Sequence, residues 1–159
     1  MADEALANQD PVLQAALGML PEGRFLMTAA HDGQRAGVRL RSVQRCADDP
    51  ILLAVASRKG HAIDPLIRDS RAFAICLVDA GDRLLDRTFP PAEAGPEPDE
   101  GEGDDPFVAI PTVELVTGSP IMTRCIAAFD CEVVRHFDLE ADHELFVGQV
   151  LGVKIFRDA

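Results

Sequence analysis

The chain predicts a mainly β fold: an antiparallel β-barrel with a few short helices. Three observations carry that expectation. Apolar runs of strand length recur at residues 25–30, 51–56, 71–78, 125–134 and 143–156, each bounded by turn-forming residues. The first run leads into His31-Asp32-Gly33-Gln34, whose Asp-Gly pair signals a tight hairpin. The elements sum to six or seven strands and two or three short helices, with no internal repeat, which suits a closed or partly closed barrel.

Taken in order, Asp10-Pro11 supplies a capping side chain and a proline suited to the first helical position. VLQAALGML then spaces its apolar residues helically, so a helix over 12–20 is expected, acting as a lid or brace. Residues 25–30 form a strand, and the chain returns from the hairpin as a second strand over 35–45. His31, at the hairpin tip, is a turn residue with no functional role. Asp48-Asp49-Pro50 breaks the second strand, and residues 51–56 begin a third that continues a meander. Residues 63–69, IDPLIRD, read as a helix of about two turns with Pro65 tolerable only in its first turn. A strand over 71–78 and a short helix over 82–88 follow.

Composition then changes abruptly. Residues 90–106 hold seven acidic residues, five prolines and three glycines, with no apolar side chain larger than alanine besides the prolines. Such a segment buries too little surface to offset its ordering entropy, so a mobile, solvated loop is expected. Order resumes at Phe107, and two antiparallel strands flank the acidic turn at 138–142. Gly148 interrupts the last strand and marks a bulge or a close backbone approach.

With 159 residues and 47% hydrophobic side chains the chain can bury one substantial core, so a single domain spanning 1–159 is expected. A net charge of -12 argues against a nucleic-acid partner, whose phosphates such a field repels, but leaves room for a small anion in a local basic pocket. No apolar run approaches membrane-spanning length, and MADEALANQD lacks the features of a secretion signal, so a cytoplasmic protein is expected. Cys46, Cys76, Cys125 and Cys131 are widely spaced in largely apolar segments and read as reduced core residues, with no metal site. Trp and Tyr are absent, so stacking platforms for single-stranded nucleic acid are lacking.

Against the acidic background, residues 35–61 hold six of the 15 Lys and Arg residues. Arg39 and Arg41 alternate with Val38 and Leu40, which on a strand puts both guanidinium groups on one face. The apolar run 51–56 then delivers the chain into Ser57, Arg58, Lys59, Gly60 and His61. That loop is rich in donors, and its glycine allows backbone amides to approach a ligand. Strand, loop and helix start together form a candidate phosphate cradle.

The order of these segments resembles the flavin reductase-like family with an FMN-binding split barrel. The resemblance covers about residues 20–155 and rests on LPEGRFLMTAA, GVRLRSVQRCADDPILLAV, SRKGHAIDPLIRDSRAFAICLV, GSPIMTRCIAAFDCEVVRH and ADHELFVGQV in that order. It implies a homodimer with FMN between subunits, reduced by NADH or NADPH, and an electron-accepting partner protein downstream. It places Arg39, Leu40, Arg41 and Ser42 beside the flavin ring and Ser57, Arg58, Lys59, Gly60 and His61 around the phosphate. His143 falls near flavin and nicotinamide as the one catalytic candidate. The family often has threonine and asparagine or serine where Arg39 and Arg41 stand, and serine at Ala47. Cations there either stabilise an anionic reduced flavin, by about 1–2 kcal/mol per charge-assisted hydrogen bond, or occupy part of the site. The implied function is an FMN-binding flavin oxidoreductase. The alternatives are a flavin-binding electron carrier or sensor without its own NAD(P)H activity, and a barrel that has lost its cofactor.

Overall fold

The computed structural model describes residues 7–101 and 103–157. Residues 1–6, part of the stretch read for a secretion signal, and Glu102 of the acidic segment lie outside the described residues. Helix α1 (Pro11–Leu17) starts as expected: the Asp10 side chain accepts from the Val12 and Leu13 amides, and Pro11 opens the first turn. It stops three residues short of Leu20, and none of its residues is buried against the described part of the chain.

Strands β1 (Phe25–His31) and β2 (Gln34–Leu40) pair around Asp32 and Gly33, both at positive φ as a two-residue hairpin requires. Here the chain departs from the expected meander. β2 ends at Leu40, and the chain resumes as β3 (Gln44–Asp48), which pairs with β4 (Ile51–Arg58). β4 turns away from the first hairpin and takes β9 (His143–Ile155) as its other neighbour. Between them in sequence lie α2 (Ile63–Ser70), β5 (Ala72–Leu77), α3 (Leu84–Thr88), the small ladder β6 (Thr112–Val113) with β7 (Ile121–Met122), and β8 (Ala127–Asp138). The seven-stranded sheet runs β2-β1-β5-β8-β9-β4-β3, antiparallel throughout. Its edges, β2 and β3, are consecutive in the chain but share no ladder, so the barrel is split.

Two cores explain why β1 and β5 read as continuous apolar runs, because each is covered on both faces. Met27, Val38, Leu53, Val55, Phe73, Ile75 and Phe146 fill the barrel interior and bury Ile63, Leu66 and Ile67 of α2. On the other face Leu26, Ala74 and Cys76 pack with Leu85, Phe89, Phe107, Ile121 and Met122. Of the cysteines, Cys46 is exposed, against expectation; Cys76, Cys125 and Cys131 are buried, and burial pushes the Cys131 thiol up to about 12. Gly148 marks a close approach: an added Cβ would lie 2.6 Å from the Phe73 ring and 2.8 Å from Cys131 Cβ.

The acidic segment differs most from expectation. Residues 95–99 are exposed, but the flanking stretches are tied to the barrel. Ala92 is 1% exposed and belongs to the interior cluster. At the far end Arg35 Nε donates to Asp105 at 2.8 Å, and the guanidinium stacks over Phe107. Partial burial opposes the Asp105 charge, but Arg35 and the Phe107 amide together hold its carboxyl below the usual value. The described residues of 90–106 thus form an arch tied down at both ends rather than a free loop.

Beneath the β4–α2 connection lies a buried acidic group that composition does not announce. Asp64, 1% exposed, accepts from the Gly60 amide through Oδ2 at 2.8 Å, while its Oδ1 has no donor among the described residues. The carboxyl facing it is Glu144, which also accepts from His136 Nε2 at 2.6 Å. His136 in turn stacks on Phe146. Two facing carboxylates bond only by sharing a proton, so burial and Glu144 push Asp64 up from 3.8 to about 7, opposed by the Gly60 amide and Arg68. A carboxyl raised on folding stabilises the fold while protonated, and the contribution disappears as pH climbs from about 4 to about 7. Asn at this position keeps the acceptor for Gly60 and donates permanently to Glu144. The thermal midpoint of the native chain should therefore fall more between pH 5 and pH 8 than that of Asp64→Asn; parallel pH profiles would contradict the shared proton.

Candidate functional site

Strand geometry settles the alternation at the end of β2. Val38 and Leu40 are buried in the barrel core, whereas Arg39 and Arg41 point to the other face. The guanidinium of Arg39 is engaged: Nε donates to the Phe89 carbonyl at 2.8 Å, and Nη1 lies 3.5 Å from Asp86. Asp86 also pairs with Arg24 and Arg83, so one carboxylate offsets three arginines. Arg41 and Ser42 are exposed, and the Arg41 carbonyl accepts from the Gly23 amide. Of the four strand candidates, Leu40 packs its side chain inward, Arg39 is pinned, and Arg41 and Ser42 are available to a ligand.

The loop after β4 is more fully engaged than its sequence suggests. Ser57 is buried. The amides of Arg58, Lys59 and Gly60 donate to Ala92 O (2.8 Å), Asp142 O (3.0 Å) and Asp64 Oδ2 (2.8 Å). Gly60 adopts φ +99°, a left-handed conformation that glycine tolerates. His61 is 1% exposed, with Nδ1 2.9 Å from both Glu100 oxygens and Nε2 facing the carbonyls of Ala92 and Ala94. The side-chain cations of Arg58 and Lys59 remain near the surface. Arg58 lies 3.7 Å from Asp142, and the Lys59 ammonium bonds Asp138. This loop therefore fits an anion through two side chains, while its backbone donors are internally satisfied.

β-Pairing brings His143 to the same place. Arg58 is directly opposite His143 in the β4–β9 ladder, and His143 Nδ1 lies 2.7 Å from Asp142 Oδ1. The hydrogen bond to His143, with Arg58 near, holds the Asp142 carboxyl below its usual range, and Lys59 with the Glu140 amide does the same for Asp138. The strand and loop halves are joined through the arch. Arg39 N donates to Pro90 O, Ala92 N to Arg39 O, and Arg58 N to Ala92 O. Between arch and β2 runs a groove of about 690 Å³, bordered by Arg35, Gly37, Arg39, Leu66, Phe89 and Glu100. That volume is within the range of small-molecule sites.

Sequence reasoning missed Glu100, Ala92, Asp64, Glu144, His136 and Asp86. Asp64 carried a usable signal, an acidic residue four positions after a loop glycine at a helix start. Glu100 carried none, lying among six other acids in a segment of low complexity. Among the described residues no group of three or more His, Cys, Asp or Glu is placed to hold a metal ion, and no helix is long and apolar enough to cross a membrane.

Known proteins share this fold. An NADH:FAD oxidoreductase of Streptomyces globisporus superposes with a TM-score of 0.78 at 22% identity, covering 96% of this chain and 87% of its own. The FMN reductase (NADH) RutF of Bradyrhizobium diazoefficiens is 24% identical over 98% of this chain and 81% of its own length. The diflavin flavoprotein A 1 of Synechocystis sp. is 27% identical over 96% of this chain, which spans only about a quarter of that protein. Residues 17–159 match the sequence profile of the Flavin reductase like domain, and with the split barrel already in view the chain belongs to the flavin reductase-like family.

Proposed function

We propose that the chain is an NADH- or NADPH-dependent flavin reductase that binds FMN beside β2 and the β4–α2 loop. One observation carries the reading: the β4–β9 register and the Ala92 bridge gather Arg39, Arg58, Lys59 and His143 around one rim of the barrel. Bound flavin would supply the hydride-accepting ring, leaving binding, orientation and electrostatics to the protein. Arg58 and Lys59 hold the phosphate as charge-assisted donors, exchanging their surface carboxylates for it. Exposed ion pairs of that kind are worth only about 0–1 kcal/mol, so the exchange costs little. Arg41 and Ser42 supply the exposed polar face beside the ring. His143, oriented by Asp142, positions the nicotinamide.

We further propose a homodimer in a cytoplasmic setting, with reduced flavin passing electrons to a partner protein. Supporting the dimer, α1 buries none of its residues, and Val153 and Ile155 at the end of β9 are 59% and 71% exposed. Apolar surface of this kind on two separate elements suits burial against a second copy. Light scattering should give twice the chain mass, and a monomer at micromolar concentration would contradict it. The electron-carrier alternative draws support from the match to a quarter of a diflavin flavoprotein, in which this unit is one part of a longer chain.

Purified protein should oxidise NADH or NADPH in a flavin-dependent manner. No turnover with either donor would overturn the reductase reading, and bound flavin reducible only by another protein would favour the carrier. Replacing both Arg58 and Lys59 by Ala should weaken FMN binding by about twofold to threefold without lowering the thermal midpoint, because each cation gives up a surface carboxylate to take the phosphate and the exchange gains little. Unchanged affinity would refute their phosphate assignment.

A further inference from the structure

We propose that Glu100 is a specificity-determining residue: its carboxylate occupies the amide side of the β4–α2 loop and so keeps a flavin phosphate from contributing strongly to affinity. The proposal rests on the flavin reading above and deepens it. It follows from the donors around the loop. Arg58, Lys59 and Gly60 donate their amides to Ala92 O, Asp142 O and Asp64 Oδ2. The Ala62 amide donates to Glu100 Oε2 at 2.6 Å, and His61 Nδ1 faces the same carboxylate. A carboxylate from the chain itself therefore sits where a ligand's anionic group would find the amide and the imidazole.

The seat is built rather than incidental. Glu100 Oε1 also accepts from the Glu97 amide at 3.2 Å, so the carboxylate closes its own turn of the arch. Its side chain is 11% exposed over a His61 side chain with no exposure at all. A phosphate reaching Ala62 must expel this carboxylate and strip His61 of its partner. A phosphate that stays outside meets only the Arg58 and Lys59 side chains, each already beside a carboxylate. In either case the gain from the phosphate is small. FMN and riboflavin then bind with similar strength.

Flavin fluorescence reads the test cleanly in a chain without Trp or Tyr. Dissociation constants for FMN and riboflavin should agree within about threefold in the unaltered protein, a difference under about 0.7 kcal/mol. Glu100→Ala should tighten FMN by about tenfold and leave riboflavin unchanged, freeing the Ala62 amide and His61 for the phosphate. Glu100→Gln, which keeps an acceptor and removes the charge, should shift FMN in the same direction by less, and it serves if the alanine variant fails to fold. Asp99→Asn, a neutralised neighbour on the same arch, should change neither constant. An FMN-to-riboflavin ratio unaltered in both Glu100 variants, or moved equally by Asp99→Asn, would overturn the assignment of Glu100. Failure of both flavins to bind the unaltered chain would instead overturn the flavin reading beneath it.

Discussion

Three backbone hydrogen bonds made by residues 90–92 hold the halves of the site in place. Pro90 and Ala92 pair with both backbone groups of Arg39 at the edge of β2, and the Ala92 carbonyl accepts from Arg58 at the end of β4. The sheet supplies no ladder between β2 and β3, so its edge groups at Arg39 would otherwise need other partners. Ala92 bridges the gap because it is small enough to enter the barrel interior. Everything assigned to the site lies on one side or the other of that bridge: Arg39, Arg41 and Ser42 on the strand, and Arg58, Lys59, Gly60 and His61 on the loop.

The charge of the site is set by pairing more than by composition. Five of the six cations in residues 35–61 sit beside a carboxylate: Arg35 on Asp105, Arg39 on Asp86, Arg45 on Asp48, Arg58 on Asp142 and Lys59 on Asp138. Arg35 and Arg39 are joined to groups that fix the arch and α3, and they act as structural ties. Arg58 and Lys59 pair with carboxylates on the β8–β9 turn in contacts that water reaches, so they can change partners. An acidic chain can therefore carry exchangeable cations at one rim without a strong outward positive field, which is the arrangement the proposed phosphate contacts would need.

Strand positions were legible because apolar alternation and turn residues are local properties. The strands near 25–31, 72–77 and 143–155 fall close to where the pattern put them, whereas β4 runs on through Ser57 and Arg58, which read as loop, and β8 continues to Asp138. Which strands pair is a non-local property, and there the expectation failed. The break at 41–43 carries no glycine or proline, so 35–45 read as one strand, and the switch of β4 to β9 depends on contacts nearly 100 residues away. The basic loop was legible from residue type, whereas His143 entered only through the family resemblance; the ladder sets Arg58 opposite His143. The groups that satisfy the loop were not. Glu100 reaches Ala62 across 38 positions, and Asp64 meets Glu144 across 80, with side chains that composition alone assigns to solvent.

Amide hydrogen exchange, resolved by residue in the ligand-free protein, tests the docked arch most directly. The Arg58, Ala62 and Ala92 amides should be protected alongside the central residues of β4 and β9, because each donates to an acceptor held by the arch or by the strand it bridges. Exchange of those three amides at the rate of a free chain, with β4 and β9 still protected, would show an arch detached from the loop and would contradict the account.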